Sequence, residues 1–319
     1  MTGVKSMGVQ PKLIIHGGAG SSLKGKGGLG VVRDSLHKIV AEVYTLLENG
    51  GSAVDAVILG AKRLEDEPRF NAGTGSVLQS DGQIRMSASL MDGTAQKFSG
   101  VINVARIKNP IEVAKVLQTE TDRVLSDLGA AEMVRELQMP IHDPLTDLRL
   151  HEWMDERKGN FSSSMAGVVA EDEMANSARH GTVGVVALDK DGKVAASTST
   201  GGKGLERIGR VSDSAMPAGN YATAAAGVSC TGIGEDIIDE CLAAKVVIRV
   251  TDGMTLTEAM QKSINESTEN KRDLGAISLD AEGNIVWGKT SEVLLAAYHD
   301  GDAIGDTLEW QIEPGVGSV

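Results

Sequence analysis

The sequence predicts an α+β fold in which β-sheets pack against each other and helices cover their outer faces. Two β-hairpins are expected, over residues 183–198 and 274–287, because their turns contain Asp191-Gly192 and Glu282-Gly283. The predicted helices follow one another in pairs, a pattern that differs from the strict alternation of βαβ units. The chain also has 39 glycines against 7 prolines, which favours a sheet-based protein whose backbone approaches a ligand closely.

The first half of the chain is expected to begin with a strand and two helices. Residues 12–16 form an apolar strand pattern that runs into a glycine-rich segment, residues 17–20. Apolar residues at helical spacing predict one helix that ends before Gly50 and another that begins after Ser52, where Ser52 and Asp55 resemble a capping box. The elements expected next are strands near residues 77–78, 84–90 and 100–104, helices near 110–118 and 122–138, and an irregular or short helical segment over 140–153.

A polar segment separates the two halves of the chain. Residues 156–181 include three consecutive serines and the acidic run Glu171-Asp172-Glu173, so we interpret them as a linker. The elements expected after it are strands over residues 183–188, 194–198, 221–229, 274–279, 285–287, 296–298 and 308–312, and helices over 235–250 and 256–265.

Composition and charge argue against several classes of protein. The net charge is −13 and aromatic residues are 3% of the chain, so a basic, base-stacking surface for nucleic acid is not expected. No apolar run approaches the roughly 20 residues of a membrane span. Cys230 and Cys241 are too few for a disulfide framework, and the polar N-terminus lacks a signal-peptide pattern, so we expect a cytoplasmic protein. The six histidines have no metal-ligand spacing.

The junction Gly181-Thr182 is the first candidate for chemistry. A flexible segment ends there and an apolar strand begins. If the chain is cut between these two residues, the new α-amino group of Thr182 stands beside its own hydroxyl and can act as its base. Free α-amino groups titrate near ~8, so part of the population is unprotonated at neutral pH. The alternative is that Thr182 is an ordinary β-branched strand residue.

The strand and loops that follow supply groups to accompany such a nucleophile. The return strand of the hairpin brings Thr200 toward the level of Thr182. Arg210 and Asp213 lie three residues apart and suit the carboxylate and the ammonium of an amino acid or an N-terminal aspartyl unit; a local surface salt bridge is the alternative. The glycine-rich segment 229–235 opens a helix, and backbone N–H groups at such a start suit an oxyanion.

Two other motifs point to different functions. The segment from Gly20 to Lys26 approximates a phosphate-binding loop, but Gly27 stands where the magnesium-binding Ser or Thr is required, so a surface loop is the competing interpretation. Cys230 could act as a thiol nucleophile with His180 or His16 as its base, although a cysteine in an apolar strand is more often buried and inert.

Taken together, the motifs resemble the plant-type asparaginase and isoaspartyl aminopeptidase family, among the N-terminal-nucleophile hydrolases. They follow the family's order over almost the whole chain. The matching stretches are Ile14-Ile15-His16-Gly17-Gly18-Ala19-Gly20, Leu64-Glu65-Asp66 with Phe70-Asn71-Ala72-Gly73, Met91-Asp92-Gly93, His180-Gly181-Thr182-Val183-Gly184, residues 198–202, Gly209-Arg210-Val211 with Asp213-Ser214, and Ser229-Cys230-Thr231-Gly232.

The resemblance implies a four-layer αββα sandwich that forms a single domain, residues 1–319. It implies self-cleavage before Thr182 into an α-subunit, residues 1–181 with a linker over about 156–181, and a β-subunit, residues 182–319. Two such heterodimers pair in the family.

The resemblance also implies a role for each matching residue. Thr182 is the nucleophile, Thr200 supports it and Asn71 lies close to it. The substrate is held by Arg210 and Asp213, and the oxyanion by Thr231 and Gly232. In the family the segment that matches Leu64, Glu65, Glu67 and Phe70 wraps a structural sodium ion with backbone carbonyls, and catalysis needs no cofactor.

The expected activity is hydrolysis of L-asparagine and of β-aspartyl dipeptides through an ester on Thr182. The chain departs from the family pattern near the expected pocket, at Ser87-Ala88, after Ser214 and at Ile233. A glycosylasparaginase-like amidase, a nucleotide-binding protein that uses the Gly20 to Lys26 loop, and a scaffold that never matures are the alternatives.

Overall fold

Two β-sheets packed face to face form the centre of the molecule. The computed structural model describes residues 8–20, 28–159 and 181–319. In chain order its elements are β1 (Lys12–Gly20), α1 (Leu29–Glu48), α2 (Ala53–Glu65), β2 (Met86–Asp92), β3 (Lys97–Val104), α3 (Pro110–Leu117), β4 (Val124–Ser126), α4 (Asp127–Glu136), α5 (Asp147–Lys158), β5 (Thr182–Leu188), β6 (Val194–Thr200), a 3-10 turn (Asp213–Ala215), β7 (Asn220–Ala222), β8 (Ala226–Gly232), α6 (Gly234–Glu240), α7 (Leu242–Thr251), α8 (Leu256–Glu269), β9 (Leu274–Asp280), β10 (Ile285–Lys289), β11 (Val293–His299), β12 (Ile304–Asp306) and β13 (Gly315–Ser318).

The strands are divided between a larger and a smaller sheet. The larger sheet has the order β12-β11-β1-β5-β6-β2-β3-β4, and the smaller sheet has the order β13-β10-β9-β8-β7. All of these neighbours are antiparallel except β3 and β4. Because β1, β5 and β6 are adjacent, the N-terminal strand and the hairpin that begins at Thr182 belong to one continuous surface.

Three apolar clusters separate four layers. The first joins α1, α2 and α3 to the outer face of the larger sheet, and the second joins α7 and α8 to the outer face of the smaller one. The third fills the space between the sheets, with Ile14, Val186, Ile277 and Leu279 among its members. The order is helix, sheet, sheet, helix, which confirms the predicted αββα sandwich.

Strand β5 shows how the sequence places its side chains. Val183 and Val185 belong to the cluster under the helices, whereas Val186 and Leu188 belong to the cluster between the sheets. Side chains alternate along a strand, so Thr182 shares the inner face with Val186 and Leu188. The first residue of β5 therefore opens onto the end of the space between the two sheets.

The capping residue predicted for the second helix is confirmed. Ser52 caps α2 by accepting a bond from the backbone N–H of Asp55. A second cap, which the sequence analysis missed, is the capping box of Thr255 and Glu258 at the start of α8.

Several predicted boundaries in the first half were wrong because tertiary contacts override local pattern. Val77 and Leu78 form no strand, since their backbone bonds go to the Asn71 side chain and to Leu205. The predicted helix over 122–138 begins only at α4, because the residues before it pair with β3 as strand β4. Helix α5 extends to Lys158 and so includes the first residues of the predicted linker; residues 160–180 lie outside the described ranges.

Breaks also interrupt elements of the second half. The predicted strand over 221–229 is two strands, β7 and β8. The turn between them is closed by a bond from the backbone N–H of Thr223 to the carbonyl of Ala226. The predicted helix over 235–250 breaks at Cys241, whose left-handed φ of 48° turns the chain between α6 and α7. The predicted strand over 308–312 is absent, and β12 and β13 stand on either side of it. Among the described residues, no helix is long and apolar enough to cross a membrane.

Candidate active site

The register between β5 and β6 places two threonines opposite each other. Thr182 pairs directly with Thr200, and the Thr182 hydroxyl donates to the Thr200 hydroxyl at 3.2 Å. The Thr200 hydroxyl in turn donates to the carbonyl of Gly181 at 3.4 Å and accepts the N–H of Gly202 at 3.1 Å. Both threonines are buried. The Thr200 hydroxyl thus links the hydroxyl of Thr182, the candidate nucleophile, to the carbonyl of Gly181.

Asn71 joins the loop before β2 to the end of β6. Its side-chain amide donates to the carbonyl of Gly202 at 2.6 Å, and its side-chain carbonyl accepts the N–H of Val77 at 3.0 Å. Its backbone carbonyl accepts the N–H of Gly201 at 2.9 Å. A Cβ on Gly181 would stand 3.2 Å from the Asn71 Cβ. Asn71 therefore lies beside the junction, as the resemblance implies, and holds the loop that follows Thr200.

Arg210 lies at the same cleft but is already paired. Its Nε and one terminal nitrogen donate to the two carboxylate oxygens of Glu235, at 2.8 and 3.0 Å. Partial burial alone would raise the pKa of Glu235, but these two bonds bring it down to about 2. Within the described ranges, the other terminal nitrogen of Arg210 has no hydrogen-bond partner. Glu235 is a site residue that the sequence analysis missed.

Asp213 is the buried anion of the site. Burial raises its pKa to about 7, although the attraction of Arg210 opposes this effect. Its Oδ2 has no hydrogen-bond partner among the described residues. Gly219 and Gly234 close over it, because a Cβ on either would come within 2.8 Å of a carboxylate oxygen of Asp213. The carboxylate therefore stands in a tight pocket with one oxygen left for a donor.

The two predicted oxyanion residues occupy different positions. Gly232 lines the cleft and has a φ of 131°, a conformation that side chains rarely adopt. Thr231 is fully buried, and its hydroxyl accepts the N–H of Ala19 at 3.1 Å. The cleft that these elements enclose is lined by Gly181, Thr182, Thr200, Gly202, Lys203, Arg210, Ser212, Asp213, Gly232 and Gly234.

A buried polar chain lies behind β5 and was not recognised from the sequence. His16 contacts the Ser229 hydroxyl at 2.9 Å, and the same hydroxyl contacts that of Thr198 at 2.6 Å. Burial lowers the pKa of His16 to about 3, so its imidazole is neutral at neutral pH. Gly184 packs directly against His16 and Ser229 and leaves no room for a Cβ. His16 and Ser229 therefore pack against the strand that begins at Thr182.

The segment from Leu64 to Phe70 forms a tight turn after α2. The carbonyls of Leu64 and Glu67 accept the N–H groups of Glu67 and Phe70, at 3.3 and 3.1 Å. The carbonyl oxygens of Pro68 and Phe70 both lie within 2.9 Å of the position that a Cβ on Gly75 would take. Backbone carbonyl oxygens are ligands that suit a hard cation such as sodium.

Among the described residues, side-chain ligands for a metal ion are not found at this turn. The carbonyl of Glu65 accepts the N–H of Thr74 at 2.8 Å. The Glu65 side chain is fully buried, and burial raises its pKa to about 8, so it is not an anionic ligand at neutral pH. No group of three or more His, Cys, Asp or Glu residues in the described ranges is arranged to hold a metal ion.

The two alternative sites are the phosphate-loop motif and the Cys230 thiol; most of the first lies outside the described residues, and the second is buried. Residues 21–27 of the phosphate-loop motif are not described, and neither is His180. Cys230 is fully buried, and burial raises the pKa of its thiol well above the ordinary value. A thiolate nucleophile is therefore not formed at Cys230.

Comparison with known proteins agrees with this geometry. The family model described as "Asparaginase" matches residues 9–309. A Synechocystis protein named isoaspartyl peptidase/L-asparaginase is 70% identical, over 94% of this chain and 91% of its own length. A Nostoc protein of the same name is 67% identical over 98% of both chains. A Pyrococcus horikoshii protein named plant-type L-asparaginase is 36% identical, over 90% of this chain and 95% of its own length. The chain therefore belongs to the asparaginase family of N-terminal-nucleophile hydrolases.

Proposed function

We propose that this protein is an autoprocessing threonine amidohydrolase that releases L-aspartate from L-asparagine and from β-aspartyl dipeptides. The observation that carries the proposal is the Thr182 hydroxyl, held by Thr200 at the head of a cleft that also contains Arg210 and Asp213. The names of the relatives support both substrate classes.

Maturation begins with attack of the Thr182 oxygen on the Gly181 carbonyl carbon. Thr200 is placed to relay the proton: its oxygen receives the proton of the Thr182 hydroxyl as its own proton passes to the Gly181 carbonyl oxygen, from which the departing nitrogen later takes it. The bond between the Gly181 carbonyl and the Thr182 nitrogen breaks, the nitrogen takes up a proton, and an ester on the Thr182 oxygen remains. Water then hydrolyses the ester and frees the hydroxyl of Thr182, which stands beside the α-amino group released in the preceding step.

Catalysis repeats this chemistry on the substrate. The free amine of Thr182 accepts the proton of its hydroxyl, and the oxygen attacks the β-carbonyl of the aspartyl unit. Gly232, whose backbone lines the cleft, and Thr231 before it are assigned to the oxyanion, as the family resemblance implies. The leaving amine departs with the proton, and water releases aspartate from the ester.

The clasp orients the substrate through its α-substituents. Arg210 keeps one terminal nitrogen for the α-carboxylate, because Glu235 engages only its Nε and the other terminal nitrogen. The unpartnered oxygen of Asp213 accepts the α-ammonium group.

A structural sodium ion is part of the proposal. The carbonyls of the turn that contains Leu64, Glu65, Glu67 and Phe70 would hold it and brace Asn71, which follows directly.

We further propose that two heterodimers of residues 1–181 and 182–319 assemble in the cytoplasm. The family resemblance supports the assembly, and the free thiols of Cys230 and Cys241 support a reducing compartment.

Removing the nucleophile tests the activity. In Thr182→Ala, release of aspartate from L-asparagine and β-aspartyl-leucine should fall at least about a thousandfold, because the hydroxyl that attacks the substrate is lost. Aspartate is measured with a coupled assay. Thr257→Ala, at an exposed helix position, should behave like the unaltered protein. Aspartate release by Thr182→Ala at a comparable rate would contradict the proposal.

Asp213 should lower the stability of the folded protein although it contributes to substrate binding. Its folded pKa of about 7 lies above the ordinary 3.8, so the folded state binds the proton more tightly and loses stability as pH rises from about 4 to about 7. Asp213→Asn should therefore melt at a higher temperature than the unaltered protein at pH 8, with the difference shrinking toward pH 4. Its kcat/KM should fall about thirtyfold or more, because the substrate ammonium loses its partner.

Thermal melting and aspartate release measure the two effects of Asp213→Asn. Asp191→Asn removes a carboxylate that is exposed and paired with Lys193, and should change neither property. Equal melting temperatures of Asp213→Asn and the unaltered protein at pH 8, together with unchanged activity, would refute the role assigned to Asp213.

The sodium ion should stabilise the folded protein. A ligand that binds only the folded state raises its melting temperature, so we expect a rise of about 3 °C or more in sodium chloride over choline chloride at the same ionic strength. Identical melting curves in the two salts would argue against a sodium site in the turn.

A further inference from the structure

The cleft contains a second cation that the family resemblance leaves without a role. Ten described residues line it, and Lys203 and Arg210 are the cationic side chains among them. Arg210 has a side chain that is 12% exposed, whereas that of Lys203 is 36% exposed. Arg210 therefore belongs to the floor of the cleft and Lys203 to its rim.

Lys203 is held loosely at this rim. Its ammonium lies 3.7 Å from one oxygen of Glu235, the oxygen that already accepts the Nε of Arg210 at 2.8 Å. Arg210 is the shorter and bidentate partner, so it neutralises Glu235 and leaves the charge of Lys203 largely uncompensated. A lysine ammonium on a flexible four-carbon stem can turn toward a second anion without loss of the Arg210 pair.

The two substrate classes differ by one carboxylate. L-Asparagine carries its α-carboxylate alone, which Arg210 binds, and its leaving group is ammonia. A β-aspartyl dipeptide carries a second carboxylate on the leaving residue, with its carbon about 2.5 Å from the leaving nitrogen. In the proposed pose Thr182, Arg210 and Asp213 contact the aspartyl unit, so the second carboxylate lies on the other, open side of the scissile bond.

We propose that Lys203 binds the α-carboxylate of the leaving residue and thereby favours β-aspartyl dipeptides over L-asparagine. The position of Lys203 supports this role: it stands three residues after Thr200, whose hydroxyl contacts that of Thr182, and it lines the same cleft. Every amino acid leaving group carries this carboxylate, so recognition through Lys203 would leave the enzyme tolerant of the side chain of that residue. This inference rests on the proposed function and adds a determinant of specificity to it.

The test compares matched substrates and matched variants. The substrates are β-aspartyl-leucine, its C-terminal amide and L-asparagine. The variants are Lys203→Met, Lys203→Arg, which keeps the charge, and Arg207→Met, which removes an exposed cation of the same loop that does not line the cleft.

In Lys203→Met, kcat/KM for β-aspartyl-leucine should fall about three- to tenfold, mainly through KM, as expected for one partly exposed ion pair. The amide and L-asparagine should stay within about twofold, since neither carries the second carboxylate. Lys203→Arg should retain most of the preference for the acid, and Arg207→Met should change none of the three values.

Three results would overturn the role of Lys203. They are an equal fall for the acid and the amide, an equal effect of Arg207→Met, and a loss of L-asparagine hydrolysis in Lys203→Met, which would place Lys203 in the shared machinery. If the unaltered protein released aspartate from none of the substrates, the proposed function itself would fail.

Discussion

The pairing of Thr182 with Thr200 is the interaction on which the rest of the site depends. Side chains alternate along a strand, so a slip of one residue would turn Thr182 toward the helices. The register is maintained by the buried β1-β5-β6 ladder and by close packing of Gly184 against His16 and Ser229. The hydroxyl of Thr200 then connects the Thr182 hydroxyl to the Gly181 carbonyl without any movement of the strands.

The charged groups beside Thr182 and Thr200 are only partly paired, and this explains how a small cleft can select a small zwitterion. Glu235 satisfies part of Arg210, and Asp213 is buried with one oxygen unpartnered. A buried carboxylate without a full set of donors lowers stability. We therefore attribute the Asp213 carboxylate to binding of the substrate's ammonium group. Lys203 extends the same arrangement to the rim, where the charge is more exposed and its effect on binding smaller.

The αββα layers and the positions of Thr182, Thr200, Arg210 and Asp213 could be predicted, because hairpin turns, alternation and ordered motifs are local features of sequence. The break at Cys241 and the strand at Val124–Ser126 could not. The strand depends on pairing with β3, and the chain after Cys241 is held by backbone bonds from Ala243 and Ala244 to Ala218 and Pro217. The same reason explains why the contact between His16 and Ser229, and the part that Glu235 has in the site, were missed. Their roles come from contacts made across the fold, which neither spacing nor composition reveals.

Mass spectrometry of the purified protein tests the central claim, that the β5–β6 register makes Thr182 cut the chain before itself. The account predicts two polypeptides, the second beginning at Thr182, for the unaltered protein and for Thr182→Ser, which keeps a hydroxyl. Thr182→Val, which keeps the shape but not the hydroxyl, should remain a single chain. Cleavage at the same bond in Thr182→Val, or an intact and fully active unaltered chain, would contradict it.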